Sequence, residues 1–277
     1  MANIVAVQDL SGIGRCSMNA AISILSTMGH HCIPLPTAIL SNQTGFGDYS
    51  YLDMTDEIPC ILKHWNDRKL VPDAIYTGFL GSGKQPTILT QQLINLNPNA
   101  FVLVDPVMGD NGELYSCFDK DYLQEIKRLI GHAHMITPNP TELFLLSDMP
   151  SETDWYKLSD EEFLQIASRI QAKRLTHVIV TGCRSENEAQ NICIDLANHK
   201  VDRFIYHDTG VCYSGTGDVF ASIVCGAIMR SQSLTDAIRL ATDFITLAIH
   251  GCHDDCDPQY GIPYESYLRR LTPNVPN

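Results

Sequence analysis

The sequence predicts an α/β protein, a mostly parallel sheet covered by helices on both faces. Three observations carry this. Short apolar, β-branched runs alternate with helix-period segments along most of the chain. The runs are continuously apolar, as in Ile4-Val5-Ala6-Val7, which suits strands buried on both faces. No internal repeat, low-complexity stretch or linker breaks the 277 residues, so a single domain over 1–277 is expected.

Taken in order, residues 4–7 read as a buried strand and residues 8–14 as a turn-rich connection. Met18, Ala21, Ile22, Leu25 and Met28 fall at helical spacing, with Gly29 as the stop. Residues 32–40 form a second strand, which Pro34 and Pro36 push towards an edge or a bulge. Residues 41–53 are polar and lack either periodicity, so a loop or a mobile cover is expected. Helices follow over 57–69 and 85–96, with strands over 74–77 and 101–104, the last ending in Asp105-Pro106. A helix over 122–130 and a short strand at 135–136 come next. Asn139-Pro140-Thr141-Glu142 opens a helix, with asparagine as cap and proline first. Ser159-Asp160-Glu161-Glu162 is a capping box for a helix to Arg174. A strand over 178–180 ends in Thr181-Gly182, and residues 190–197 and 201–207 suggest an antiparallel pair. Helices over 219–229 and 234–249, a polar loop over 251–260 and a short helix over 265–271 complete the chain. His30-His31, at a helix end, is expected to cap carbonyls.

Composition narrows the function. A net charge of −13 argues against a nucleic-acid partner, since such proteins carry a basic footprint. No apolar run approaches the roughly 18 residues of a membrane span. Without a charged leader, the ten cysteines read as reduced, buried small hydrophobes, and a cytoplasmic location is expected.

Three glycine patterns compete for a phosphate. Gly78–Lys84 fits G-x-x-x-x-G-K, but Gln85 stands where a P-loop needs serine or threonine for magnesium. Gly12-Ile13-Gly14 begins a dinucleotide fingerprint, but Ser17 replaces its third glycine and no acid ends the second strand. Tyr213-Ser214-Gly215-Thr216-Gly217-Asp218 runs straight into a helix. There, free first-turn amides and the positive end of the macrodipole make an anion cup, with a carboxylate at its mouth. Asp105, Glu142 and Asp218 all sit at strand ends or helix starts, hence at one sheet edge, where they suit magnesium and a nucleoside triphosphate. Each also has a plain reading, as a loop-turning Asp-Pro, a helix N3 residue and a first-turn charge. Cys252-His253-Asp254-Asp255-Cys256 has metal-capable types but no zinc spacing, and reads as a surface loop.

Val104-Asp105-Pro106-Val107-Met108-Gly109, Ile136-Thr137-Pro138-Asn139-Pro140-Thr141-Glu142 and Gly215-Thr216-Gly217-Asp218, in this order, resemble the ribokinase-like small-molecule kinases, and within them the pyridoxal or pyridoxamine kinases. Ser41-Asn42-Gln43-Thr44-Gly45 and Tyr76-Thr77-Gly78-Phe79 resemble pyridine-pocket segments of the same kinases. The resemblance implies a three-layer ribokinase-like fold and transfer of the ATP γ-phosphoryl group to the 5′-hydroxymethyl of a vitamin B6 vitamer. It implies Asp218 as the base, with the amides of Gly215, Thr216 and Gly217 as the anion hole. Asp105 and Glu142 would act near magnesium; Thr137, Asn139, Thr181 and Val211 would lie on the ATP side. Asp9, Ser11, Thr44, Gly45 and Phe79 would line the pyridine pocket, with residues 41–53 closing over it. The resemblance also implies a homodimer and leaves room for a monovalent cation such as K⁺. Asp9-Leu10 departs from the Ser-His of many pyridoxal kinases and is similar to the Asp-Pro-Ser-Gly stretch of hydroxymethylpyrimidine kinases, so hydroxymethylpyrimidine stands as the alternative substrate, and a non-catalytic nucleotide-binding protein on the same fold as the alternative of another class.

Overall fold

The computed structural model describes residues 1–151, 153–185, 189–207, 210–252 and 256–273. Its first strand already departs from the sequence pattern. β1 (Asn3–Ile13) does not turn after Val7 but continues through Asp9 and Ser11. β2 (His31–Asn42) keeps pace beside it as far as Ile13 opposite Asn42, with a register shift between Gln8 and Leu10. The polar, glycine-bearing half of β1 is therefore a bulged strand extension, and bulges of this kind re-aim side chains beside sites.

The prolines of β2 are accommodated by strand parity. His31 donates its N–H to Ala2 O on the β1 side, so Pro34 and Pro36 place their missing N–H groups on the opposite side. That side stays an open edge until β3 (Tyr51–Asp53) pairs antiparallel with Ala38–Leu40. The predicted cover over 41–53 is thus partly ordered, as the end of β2, a 3₁₀ turn at Thr44–Phe46 and strand β3.

The other strands are β4 (Ala74–Thr77), β5 (Phe101–Val104), β8 (Met135–Ile136), β9 (His177–Arg184), β10 (Ala189–Asp195) and β11 (Lys200–Tyr206). With the first three they form one nine-stranded sheet in the order β11-β10-β9-β8-β5-β4-β1-β2-β3. β2 through β9 run parallel, and β3, β10 and β11 close the two ends antiparallel. A small hairpin, β6 (Gly109–Asp110) with β7 (Glu113–Leu114), stands outside the sheet.

Two apolar layers flank the sheet, which explains the continuous apolar runs. Val5, Val7, Ile75 and Val102 point to one side, where they meet helices α2 (Ile58–Asp67), α3 (Lys84–Ile88, continued by wider and tighter turns to Leu96), α4 (Lys120–Ile130), α5 (Pro140–Leu146) and α6 (Asp160–Ser168). Ile4, Ala6, Tyr76 and Leu103 point to the other, under α1 (Ser17–Thr27), α7 (Thr216–Met229) and α8 (Leu234–His250). Each fully buried aliphatic side chain contributes about 1.5–3 kcal/mol.

The helix signals hold at most ends. Asn139 and Ser159 both form complete capping boxes with Glu142 and Glu162. Gly29, at φ 80°, ends α1 while His30 N–H returns to Leu25 O. Helix α6 stops at Ser168, short of Arg174. His30 caps a helix other than its own: its Nε2 lies 2.9 Å from Gly226 O in the last turn of α7, and Ala2 N–H donates to its Nδ1. His31 instead sits in β2 beside Asn3. The last helical segment, Tyr264–Leu271, is 3₁₀. The central residues of the Cys252–Cys256 loop lie outside the described residues.

Candidate active site

Five parallel strands deliver residues, most of them polar, to one edge, as open α/β sheets do at their carboxyl ends. The extension of β1 brings Asp9 and Ser11, and β4 is followed by Phe79. Asp105 follows β5, Thr137 follows β8, and Thr181 lies in the second half of β9. All of these line a single cavity of about 1110 Å³, together with Thr44, Asn139, Glu142 and residues 215–218.

The floor of the cavity is the start of α7. Gly215 takes φ 79°, and a Cβ there would stand 2.4 Å from Arg15 O, so only glycine makes this turn. No side chain caps the helix, and its first amides face the cavity unblocked. Asp218 sits in that first turn, half-buried, and its Oδ2 accepts the Ser17 N–H at 2.8 Å. Two helix starts, of α1 and α7, therefore meet at this carboxylate. Ser17 holds φ 48°, a left-handed strain of about 1 kcal/mol concentrated beside the cavity.

Two further acids stand nearby. Asp105 is buried, and its Oδ1 accepts the Thr137 hydroxyl at 2.9 Å. Glu142 is buried too; its two oxygens accept the amides of Met108 and Asn139. Asn139 is equally committed, taking Glu142 N–H and donating to Gly109 O. The plain reading of Glu142 as an N3 capping residue is therefore fulfilled, and its charge still faces the site. Burial, then the neighbouring Asp105 charge, pushes Glu142 well above the usual carboxylate range. Burial raises Asp105 to about 7, against the Thr137 hydrogen bond. Burial and then Asp105 raise Asp218 to about 8.

Carboxyl groups raised together by burial and by one another mark a functional site, and a cation entering among them would lower all three. Among the described residues no three His, Cys, Asp or Glu side chains form a metal cage. Two carboxylates beside an anion cup instead fit a magnesium ion that keeps waters and substrate phosphate oxygens as its other ligands.

Not every sequence candidate reaches the cavity. Gly45 is absent from its wall: its N–H is held by Gln43 Oε1 and its carbonyl by Gln259. Val211 is also off the wall, and its carbonyl accepts Arg184 instead. The P-loop pattern is structural. Gln85 Oε1 fills the Gly81 amide while its Nε2 donates to Thr37 O and Thr55 Oγ1, and Lys84 is exposed. Gly12 lies within β1, so its pattern opens no helix. Sequence reasoning missed Ser17, Arg184, Asn191 and Tyr115, which also line the cavity. Ser17 meets Asp218 through its backbone N–H, which any residue has; Arg184 is readable only as a basic residue just past a strand end.

A cavity at the carboxyl edge of this sheet, floored by an acid in the first turn of a glycine-opened helix, belongs to the ribokinase-like small-molecule kinases. The chain is a member of the phosphomethylpyrimidine kinase family, whose model matches residues 16–261. It is similar to the crystal structure of a Bacteroides thetaiotaomicron protein attributed to the phosphomethylpyrimidine kinases, in its orthorhombic form with pyridoxal. That match has 37% identity and a TM-score of 0.89, covering 98% of this chain and 95% of the other. Pyridoxal kinase from Lactobacillus plantarum superposes with a TM-score of 0.87 at 26% identity, over 98% and 96% of the two chains. Pyridoxal kinase PdxY of Corynebacterium diphtheriae is 24% identical over 246 residues, 85% of this chain and 84% of its own.

Proposed function

We propose that this chain transfers the γ-phosphoryl group of ATP to the 5′-hydroxymethyl group of a vitamin B6 vitamer, pyridoxal, pyridoxamine or pyridoxine. The observation that carries the reading is Asp218, set in the first turn of α7 behind an uncapped glycine turn, on the floor of one large cavity. The pyridoxal kinases among its relatives and the pyridoxal-bound structure support the choice of acceptor.

In this reading Asp218 takes the proton of the substrate hydroxyl as its oxygen attacks, with Ser17 N–H fixing the carboxylate's orientation. The amides of Gly215, Thr216 and Gly217 receive the charge that builds on the transferring phosphoryl group. Asp105, oriented by Thr137, and Glu142, acting through water, would hold magnesium, which when bound screens the triphosphate charge. Asn139 and Thr181 border the nucleotide side; Asp9, Ser11, Thr44 and Phe79 border the acceptor ring. Thr44, Gly47 and Tyr49 bring the segment between β2 and β3 to the cavity wall, and in this reading it keeps water from competing for the phosphoryl group.

A cytoplasmic enzyme belongs to the same reading. All ten cysteines are free thiols, and among the described residues no helix is long and apolar enough to cross a membrane. A homodimer also belongs to it, supported by the edge pair Ile39 and Leu52, which face each other in register while largely exposed. Sedimentation velocity reads that assembly. The family description and Asp9 favour one second reading, hydroxymethylpyrimidine as acceptor. Purified protein with ATP, magnesium and a panel of the three vitamers plus hydroxymethylpyrimidine separates the two by mass of product. No phosphorylated vitamer would refute the first.

A further inference from the structure

At the acceptor end of the cavity stands a carboxylate with no basic neighbour among the described residues. Asp9 is 5% exposed and lines the cavity wall. Its Oδ2 accepts the Ser11 hydroxyl at 2.7 Å, and Ser17 lies within reach of the same carboxylate. Among the described residues Arg184 is the sole arginine on the wall and no lysine lines it. Arg184 gives its donors to Val211 O and the Cys212 sulfur at the opposite, nucleotide-side end. Serine hydroxyls ease the burial of a carboxylate without neutralising it, and burial still holds Asp9 above the usual carboxylate range. Asp218, close enough to feel this charge, keeps its own proton more tightly because of it.

We propose that Asp9 is a charge-selecting residue, pairing with a cationic N–H group on the acceptor and thereby setting which acceptors the site prefers. The inference rests on the vitamin B6 reading above and specifies its substrate class. Two nitrogens on these vitamers carry such a donor: the ring nitrogen when protonated, common to all three, and the 4′-aminomethyl ammonium, which pyridoxamine alone has. A charge-assisted hydrogen bond in a cavity this enclosed separates cationic from neutral acceptors by tenfold or more. Pairing also cancels the negative charge that faces Asp218, so the preferred acceptor helps to free its own base.

The test uses Asp9→Asn, which keeps an acceptor for Ser11 but no charge. KM and kcat are measured for pyridoxamine, pyridoxine and pyridoxal, with KM for ATP as the check that the nucleotide side is intact. A tenfold or greater rise in KM with Asp9→Asn for pyridoxamine, but not for pyridoxine, supports the proposal and assigns the ammonium. An equal tenfold rise for all three supports it and assigns the ring nitrogen. KM values within twofold of wild type for every vitamer in Asp9→Asn overturn it. Absence of turnover in the wild type refutes the vitamin B6 reading separately. Calorimetric titration of pyridoxamine and of pyridoxine into wild type and Asp9→Asn then reads the pairing without catalysis; affinities that Asp9→Asn leaves unchanged for both vitamers overturn it.

Discussion

Replacing Asp218 by asparagine separates catalysis from stability, because the two respond in opposite directions. Asparagine keeps the size of the side chain and an oxygen for the Ser17 N–H, which is 2.8 Å away in the wild type. It cannot accept a proton from the substrate, so kcat is expected to fall by about 10²–10⁴-fold. Stability moves the other way. The carboxylate goes from an ordinary 3.8 to about 8 on folding, so between those values the folded state binds the proton that the unfolded state has released. Stability of the wild type therefore falls as pH rises from about 4 to about 8. At about 1.4 kcal/mol per tenfold the ceiling is about 6 kcal/mol. Water in the cavity screens this half-buried group, and Asp105, raised to about 7, is itself neutral over much of the range. About 2–3 kcal/mol remains above pH 8. Asp218→Asn should thus melt a few degrees higher than wild type at pH 8 and at the same temperature at pH 4. Calorimetric scans at both pH values with single-turnover assays provide the comparison. An equal stabilisation at both pH values, or none at pH 8, would refute the electrostatic account; a variant that still turns over at the wild-type rate would refute the catalytic one.

Three other expectations follow from the same geometry. Gly215→Ala forces a Cβ to 2.4 Å from Arg15 O at a φ of 79°, so it should lose about 2 kcal/mol of stability and at least 100-fold in kcat, read by urea melts and steady-state kinetics. Lys84→Ala should change kcat/KM less than twofold, whereas Gln85→Ala, which strips the Gly81 amide, Thr37 O and Thr55 Oγ1 of their partner, should cost about 1–3 kcal/mol. Magnesium-ATP affinity should rise between pH 6 and pH 8, because Asp105, raised to about 7 in the free protein, must give up its proton beside the incoming cation. Calorimetry in buffers of different ionisation enthalpy counts that proton, and Asp105→Asn should abolish the Asp105 share of its release.

The sheet core was legible because its physics is local. Continuous apolar runs such as residues 4–7 and 101–104 have one stable solution, a parallel strand with helices on both faces, and the capping boxes at Asn139 and Ser159 announce themselves at fixed spacing. What escaped was decided by partners far along the chain. The second half of β1 has the composition of a turn and is a strand because β2 holds it as far as Asn42. His30 sits at the end of α1, yet it serves α7 across 196 residues. At the site, the acids were readable from their strand-end positions, but Ser17 contributes a backbone N–H that any residue has. Gly45 and Val211 were carried by likeness to a motif, and in this chain Gln43 and Arg184 claim their backbone groups instead.

The same distinction explains why the plain and functional readings of the acids do not exclude each other. Glu142 completes its capping box with Asn139, and in doing so its other oxygen ties down Met108, the residue that leads into the β6–β7 hairpin. Cap, loop and cavity wall are thereby fixed by one side chain. A purely structural N3 glutamate at an exposed helix start, such as Glu162, is held below its ordinary range by its cap bonds. Glu142 makes the same bonds and is driven above its range, because it is buried and faces Asp105. Helix architecture alone calls for neither the burial nor the second acid. In the kinase reading proposed above, an incoming cation offsets these charges without a proton, which would set Glu142 apart from a residue that only builds the fold.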